Sequence, residues 1–312
     1  MIANIYPLAL IFISLAILIV SADQLVSQAD SLAQKFNFSQ ILIGLTVVAF
    51  GTSAPELIVS ISAAILEVPA TNAIVGNVIG SNIANSLLVL GTAGLLYKVD
   101  FNNIDRITNF YLFIVTACVI LILSTESNIS YLHSIIFLII LIFFIQHLSS
   151  FKNDDSGTTE IDKKVSYLRL LLSFIGFFIG GNLFLSESLT FFSNLGIGHT
   201  VIGLAVLALG TSLPELITLI ISALRKKTAI GIGNIIGSNI MNILFVLLPS
   251  VLIVQARGIE FSLSNLDGNN DLALLAIVTS IIITLSLIKK PLNKVLSLFF
   301  ILSYIIFIYK LF

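Results

Sequence analysis

The segment Gly51-Thr52-Ser53-Ala54-Pro55-Glu56 decides how this sequence folds, because it interrupts an apolar stretch that extends from residue 40 to residue 65. Proline lacks the N–H that a helix needs and clashes with the preceding turn. Inside a membrane the protein must satisfy every backbone polar group, so such a stretch has to be helical. The segment therefore predicts a transmembrane helix that is broken near its middle, with the Glu56 carboxyl group next to the break.

The broken segment occurs twice in the chain. Residues 44–58, GLTVVAFGTSAPELI, align without a gap with residues 203–217, GLAVLALGTSLPELI, at an offset of 159. A second pair follows at an offset of 157, in which residues 76–85, GNVIGSNIAN, match residues 233–242, GNIIGSNIMN. The best-matched residues are polar ones within apolar stretches, which duplication for packing alone would not preserve. The pattern predicts an internal repeat with a shared chemical role.

Composition places the chain in a membrane. Of its 312 residues, 57% are hydrophobic and 10% are charged, whereas soluble domains carry about 25% charged residues. Apolar runs close to the roughly 20 residues that cross a bilayer recur from end to end. They predict ten transmembrane helices, near residues 6–28, 40–65, 71–96, 107–124, 129–149, 167–190, 199–223, 228–254, 271–288 and 293–311.

The basic residues predict an orientation. Thirteen of the 15 Lys and Arg residues fall in alternate predicted loops, and only Arg257 and Lys310 lie on the other side. Positive charge accumulates in cytoplasmic loops. We therefore expect both termini outside and the central loop in the cytoplasm. The short loops and the lack of organelle signals favour the cytoplasmic membrane of a prokaryotic cell.

Each copy of the repeat contains five predicted spans. Because five is odd, the second copy enters the membrane from the opposite side, which is the inverted-repeat architecture of secondary transporters. We predict an all-α membrane protein with a first repeat over 1–150, a short linker over 151–166 and a second repeat over 167–312. The matched motifs within the repeats cover 44–91 and 203–248, and helices 2 and 7 are the broken ones.

Two glutamates at matched positions, Glu56 and Glu215, lie near the centres of their spans. An acidic side chain at that depth costs about 2.5–3.5 kcal/mol on insertion scales. No Lys, Arg or His is predicted in the central part of any span, so a cation from solution is the natural partner. The alternative, a protonated glutamate that serves packing, would have to occur twice at equivalent positions.

Polar side chains surround these glutamates in the sequence pattern. Asn77, Ser81 and Asn85 share one helix face, which we expect to point side-chain oxygens at Glu56. Hydroxyl, amide and carboxylate oxygens are the ligands that Ca²⁺ takes, six to eight at a time, and Na⁺ also prefers oxygen. No Cys or His cluster suggests a zinc or copper site, since the single cysteine, Cys118, lies alone in an apolar run.

The four matched segments resemble the two alpha repeats of the sodium/calcium exchanger family, which belongs to the calcium:cation antiporters. The resemblance implies that Glu56 and Glu215 are central ligands shared by Na⁺ and Ca²⁺. It implies further ligands of three kinds: hydroxyls of Thr52, Ser53, Ser81, Thr211, Ser212 and Ser238, backbone carbonyls of Ala49 and Ala208, and the amides of Asn85 and Asn242 in the middle of the cluster.

The resemblance also carries expectations about mechanism. K⁺-dependent relatives have Asp at one of the two positions held here by Asn85 and Asn242, so K⁺-independent exchange is expected. Two glutamates give a site charge near −2, and exchange of more than two Na⁺ for one Ca²⁺ would therefore be electrogenic. Alternating access would come from spans one and six sliding against the rest. The central loop is too short for the regulatory domain of animal relatives.

Three other functions stay open at this point. A H⁺/Ca²⁺ exchanger could use the same fold and glutamates, although the hydroxyl-rich segment favours Na⁺. A cation channel would share the ligands but would not concentrate its substrate. An intramembrane enzyme is disfavoured because His133, His147 and His199 all fall near span ends. We thus expect a transporter without enzymatic activity, cofactor, nucleic-acid ligand or protein partner.

Overall fold

The chain is described here from a computed structural model over residues 5–149, 165–195, 210–263 and 269–310. These residues are almost entirely helical, in agreement with the predicted class. The helices are α1 (Ile5–Phe36), α2 (Gln40–Thr52), α3 (Ala54–Ile65), α4 (Thr71–Leu96), α5 (Arg106–Thr125), α6 (Tyr131–Ser149), α7 (Tyr167–Asn194), α8 (Leu213–Leu224), α9 (Thr228–Ala256), α10 (Asn269–Leu287) and α11 (Lys294–Lys310).

One feature departs from the all-α prediction. Two short strands, β1 (Asn128–Ile129) and β2 (Phe261–Ser262), pair antiparallel, with Asn128 opposite Ser262 and Ile129 opposite Phe261. Thr71 at the start of α4 donates a hydrogen bond of 2.7 Å to the Ser262 carbonyl. Strands of two residues carry no periodic signal, which is why the sequence pattern missed this ribbon.

Within the described residues, seven helices are long and apolar enough to cross a membrane, and the bent pair of α2 and α3 brings the number to eight. The predicted spans 7 and 10 fall short of that length here. The described part of span 7 has its apolar helix at Leu213–Leu224, 12 residues long, and α11 has 17 residues. The structure therefore shows a multi-pass helical membrane protein with at least this number of spans.

The predicted break in helix 2 lies at Ser53. The axes of α2 and α3 meet there at 45°, and Ser53 has φ −84° and ψ 5°. Ser212, which precedes α8, has nearly the same backbone angles, φ −89° and ψ 2°. Pro55 and Pro214 stand in the first turn of the helices that follow, where a missing N–H is tolerated. The same residues thus produce the same turn twice.

Among the described residues, three π-helical segments interrupt the central helices. They cover Gly44–Val48 in α2, Asn85–Val89 in α4 and Asn242–Leu247 in α9. The predicted ligands Asn85 and Asn242 are the first residues of two of these segments. Such π-helical turns are rare and occur frequently at functional sites. The sequence pattern did not predict them.

Helices α4 and α9 form the centre of the molecule. In their apolar windows 78% and 83% of residues are buried, whereas the value for α6 is 17%. Helix α9 approaches α2 closely because glycine faces glycine: a Cβ atom on Gly233 would lie 2.5 Å from the Ile41 carbonyl oxygen and 3.1 Å from Cα of Gly44. Small residues permit this backbone contact between helices of the two repeats.

Helices α1 and α7 pack against each other along their length at one side of this centre. Gly180 of α7 faces Leu18 of α1. Two ion pairs connect α1 to the connection between α8 and α9. Asp23 pairs with Arg225 at 2.5 Å, and the buried Asp30 pairs with Lys227 at 2.8 Å.

Candidate metal-ion site

Glu56 and Glu215 lie in the first turns of α3 and α8, directly after the two breaks. Neither side chain has exposed surface. The positive ends of two helix dipoles point toward their carboxyl groups, which stabilises negative charge only partly. A cation held between the carboxylates would complete the balance.

Hydroxyl groups join the two glutamates into one cluster. Ser81 donates to Oε1 of Glu56 at 3.4 Å, and its Oγ lies 3.3 Å from Oγ1 of Thr211. Ser238 makes the equivalent contacts, to Oε1 of Glu215 at 3.4 Å and to Oγ1 of Thr52 at 3.3 Å.

Each serine thus belongs to the same repeat as its glutamate and touches the threonine of the other repeat. The four contacts bring together six of the predicted ligands: Glu56, Glu215, Ser81, Ser238, Thr52 and Thr211. The predicted side chains from both copies of the motif therefore meet at one place.

The Thr52 hydroxyl, next to the break at Ser53, contacts residues of both repeats. It is 3.0 Å from Oδ1 of Asn234 and 3.4 Å from the carbonyl oxygen of Ala49. The carbonyl oxygen of Ala49, a predicted backbone ligand, therefore lies next to the hydroxyl cluster. Ala208, its predicted counterpart, lies outside the described residues.

Several of these side chains retain buried atoms without a hydrogen-bond partner. Such atoms are rare in native proteins, and each costs free energy unless a partner is supplied. Tyr97, Asn109 and Tyr304 carry some of them away from the cluster. Among the described residues, seven such atoms belong to predicted ligands, and six of the seven are oxygens: Oε2 of Glu56 and Glu215, Oγ of Ser53 and Ser212, and Oδ1 of Asn85 and Asn242, beside Nδ2 of Asn85. This donor set fits a hard cation.

The protein itself supplies no counter-charge here in the part of the chain that the structure describes. The ion pairs found there engage Asp23, Asp30 and Asp105, and none includes Glu56 or Glu215. Across the same residues, no three His, Cys, Asp or Glu side chains come together in a metal-binding group. The site thus combines two carboxylates with many neutral oxygens.

One expectation about the polar face of α4 was wrong. Asn77 does not direct an oxygen at Glu56. Its Nδ2 donates to the backbone carbonyl of Glu56 at 3.0 Å and to Oγ of Ser60 at 2.9 Å. Asn77 therefore anchors the first turn of α3 to α4. The spacing of residues on a helix shows which side chain faces a neighbour, but it does not show which atom.

Sequence reasoning also missed Asn82 and Asn239, which are 1% and 3% exposed. Each follows a predicted ligand, Ser81 or Ser238, in the repeated motif Gly-Ser-Asn. Asn82 donates to the Asn239 carbonyl at 3.1 Å, and Asn239 donates to Oγ of Ser86 at 2.9 Å. Their recurrence in both motifs was a signal, since a pair of buried amides requires partners.

Comparisons with known proteins agree with this geometry. The family model described as sodium/calcium exchanger protein matches residues 6–149 and 165–312. The chain is 33% identical over 252 residues to the putative antiporter CaxA of Alkalimonas amylolytica, which covers 76% of this chain and 77% of the relative. It is 30% identical over 302 residues to the sodium/calcium exchanger MaX1 of Methanosarcina acetivorans, with 81% and 85% covered.

A solved structure of the sodium-calcium exchanger NCX_Mj, soaked without Na⁺ and Ca²⁺, is similar with a TM-score of 0.80. The two chains are 26% identical, and the match covers 99% of this chain and 100% of the other. The family match extends over both halves of the chain and over the helices that carry the site. This chain belongs to the sodium/calcium exchanger family, whose members are multi-pass membrane transporters of Na⁺ and Ca²⁺ and not enzymes.

Proposed function

We propose that this protein is a secondary-active antiporter that exchanges Na⁺ for Ca²⁺. The observation that carries the proposal is the buried pair Glu56 and Glu215, ringed by hydroxyl oxygens from both repeats and without a basic partner among the described residues. Buried charges require compensation. A cation from solution supplies it, and the charge of the site makes the loss of one ion costly unless another enters.

The proposed ligands are those expected from the sequence. The carboxylates of Glu56 and Glu215 lie at the centre, with the hydroxyls and amides contributed by both motifs around them. Ala49 and Ala208 contribute carbonyl oxygens. The relatives MaX1 and NCX_Mj, both named as sodium/calcium exchangers, support this assignment by the length of their match.

We further propose ten spans in two inverted five-helix repeats, over 1–150 and 167–312, with both termini outside and the linker 151–166 in the cytoplasm. The recurrence of the break at Ser53 and Ser212, with nearly equal backbone angles, supports the repeat. The segregation of basic residues supports the orientation. Helices α1 and α7 are the pair that would slide against the centre, because they pack on each other and contribute none of the proposed ligands.

Exchange is proposed to be electrogenic and independent of K⁺. Two ionised glutamates are neutralised by one Ca²⁺ or by two Na⁺, so a third Na⁺ moves net charge. The neutral amides of Asn85 and Asn242 add no further charge for K⁺ to balance.

A H⁺/Ca²⁺ exchanger is the second candidate, because two adjacent buried carboxyl groups can also be neutralised by protons. Parallel flux measurements in proteoliposomes with Na⁺, K⁺ or H⁺ gradients separate the candidates. Na⁺-driven uptake of Ca²⁺ that saturates and proceeds against its own gradient also separates an antiporter from a channel.

The decisive variants are Glu56→Gln and Glu215→Gln. Glutamine keeps the size and the hydrogen-bonding oxygen but removes the charge, so Na⁺-driven uptake of radiolabelled Ca²⁺ should fall to background in each. Glu126→Gln, at the exposed end of α5, is the matched control and should transport like the unmodified protein. Normal uptake in both glutamine variants, with insertion verified, would remove the glutamates from the mechanism.

A further inference from the structure

Asn82 lies where α4 crosses α9, and its side chain connects two residues of α9. Its Nδ2 donates to the backbone carbonyl of Asn239 at 3.1 Å. Its Oδ1 accepts a hydrogen bond of 3.0 Å from Nδ2 of Asn242. The side chains of Asn82, Asn239 and Asn242 are all at least 97% buried, so water does not compete for these bonds. The backbone carbonyl of Asn239 and the side-chain amides of Asn82 and Asn242 form what we call the amide relay.

The amide relay has only one possible polarity. A backbone carbonyl can only accept, so the Asn82 atom that faces Asn239 must be the NH₂ group. The other end of the Asn82 amide is then the oxygen, which also can only accept. Asn242 must therefore direct its own NH₂ group at Asn82. The positions of nitrogen and oxygen in an asparagine side chain are normally ambiguous. For Asn242 they are determined by the Asn239 backbone carbonyl, because that carbonyl fixes the Asn82 amide and Asn82 in turn fixes Asn242.

The free end of the Asn242 amide is consequently an oxygen. This Oδ1 is buried and has no hydrogen-bond partner among the described residues. Asn242 follows Ser238 by four residues, which places both on the same face of α9. Ser238 in turn donates to the Glu215 carboxylate. The oxygen left over by the relay is therefore of the kind that a cation binds, on the face of α9 that carries the ion site.

The equivalent arrangement is missing on the other side of the cluster. Asn239 corresponds to Asn82 by the offset of 157 and Asn85 corresponds to Asn242. Asn239, however, donates to Oγ of Ser86 at 2.9 Å and not to Asn85. Both amide atoms of Asn85 are buried without a hydrogen-bond partner within the described chain. Nothing there fixes which end of the Asn85 amide faces the ions.

We propose that Asn82 is a positioning residue that holds Asn242 as a permanent oxygen ligand, while Asn85 is free to turn its amide. This inference rests on the proposed exchange function. It makes the two neutral amides in the middle of the cluster unequal despite their identical sequence. The side-chain oxygen of Asn242 is already oriented to bind a cation, whereas the Asn85 side chain has to rotate before its oxygen can bind one.

The test compares Asn82→Leu with Asn239→Leu. Leucine has the same number of side-chain heavy atoms as asparagine and the same branching at Cγ, but it cannot form either bond, so Asn242 becomes free to rotate. Loss of one hydrogen bond that fixes a ligand corresponds to about a threefold to tenfold change in affinity. We expect the half-saturating Na⁺ concentration of Asn82→Leu to rise by about that factor, with a smaller change in maximal rate.

Asn239→Leu is the matched control, because it removes an equally buried amide from the same crossing but leaves the amide relay intact. Its half-saturating Na⁺ concentration should stay within about twofold of the unmodified protein. Should Asn82→Leu fail to fold, as judged by its size-exclusion profile and denaturation midpoint, Asn82→Ser is used, since serine is too short to reach both partners.

A double-mutant cycle with Asn242→Ala distinguishes positioning from general damage. If Asn82 acts through Asn242, substitution of Asn82 adds nothing further to the Na⁺ affinity of an Asn242→Ala protein. An additive loss, or an equal loss in Asn239→Leu, would overturn the proposal. Failure of the exchange function itself is separate, because the unmodified protein would then show no Na⁺-driven Ca²⁺ uptake at all.

Discussion

The two halves of the molecule are alike in the contacts of their central serines and different in the charged residues at their ends. At the centre, Ser81 and Ser238 make the same pair of contacts, 3.4 Å to their glutamate and 3.3 Å to the threonine of the other half. The turns at Ser53 and Ser212 differ by only a few degrees in φ and ψ. The duplicated parts are those that supply oxygens to a shared cluster.

The charged residues at the end of the molecule are not duplicated. Asp23 and Asp30 of α1 pair with Arg225 and Lys227, but the positions 159 residues away along the chain, 182, 189, 66 and 68, hold Asn, Leu, Leu and Val. In an inverted repeat, equivalent ends face opposite sides of the membrane. The serine contacts at the centre recur because both halves supply one shared cluster, whereas under the proposed inversion the two ends lie at different aqueous surfaces.

The largest effect is expected where the halves touch. Gly233→Ala should lower the free energy of unfolding by about 3 kcal/mol or prevent folding, because the new Cβ would lie 2.5 Å from the Ile41 carbonyl. Gly181→Ala is the control, since its nearest neighbour, Pro55, would be 3.6 Å away and alanine favours helix by about 1 kcal/mol. Denaturation midpoints in detergent measure both. Equal stability of the two variants would show that the halves are not in direct contact.

The next largest effect on stability is expected at the two ion pairs of α1, Asp30 with Lys227 and Asp23 with Arg225. Asp30 is 7% exposed and accepts from Gln34, Gln40 and Lys227, so Asp30→Asn should cost about 2 kcal/mol, less than for a fully buried pair because Lys227 is 29% exposed. Asp23→Asn introduces the residue found at position 182 and should cost about 0–1 kcal/mol, because both partners of its ion pair are more than one third exposed. High salt should reduce only the Asp23 effect. A larger cost at Asp23 than at Asp30 would contradict the comparison.

Because Ser81 and Ser238 make the same contacts, we expect equal effects on transport when either is replaced. Ser81→Ala and Ser238→Ala each remove one hydroxyl donor to a carboxylate, and each should lower Na⁺-driven Ca²⁺ uptake about tenfold. Ser134→Ala, which removes a buried serine bonded to Gln255 away from the site, should transport normally. If the two central serines differed by more than about threefold, the pairwise symmetry of the inner contacts would be structural only.

The sequence was sufficient for the parts of the molecule that obey simple rules. Helix breaks follow from proline, spans follow from hydropathy, and the meeting of Glu56 with Glu215 follows from duplication of one motif. The structure confirms an almost entirely helical membrane protein with a break at Ser53, and the count of ten spans stays a prediction. The helix breaks and the apolar spans follow from the local sequence, and the shared position of the two glutamates follows from duplication of the motif. Neither requires knowledge of how the helices pack.

The remainder depends on distances between helices, which no single-sequence pattern contains. The direction of the Asn77 amide is set by the Glu56 carbonyl on another helix, and that of Asn242 is set by Asn82. Sequence reasoning therefore located the site residues but not the atoms that they present.

The π-helical segments at Asn85–Val89 and Asn242–Leu247 have a consequence for how the chain tolerates length changes. A π turn accommodates one residue more than an α turn, so it stores a single-residue insertion without shifting the flanking helix. Deletion of one residue within either segment would convert the π turn into an α turn and leave the helix beyond it in its present orientation, whereas the same deletion in a regular α turn would rotate the helix beyond it by about 100°. The π-helical segments are therefore the places in α4 and α9 where the loss of one residue would be absorbed without turning the buried face of the second half of the helix toward lipid.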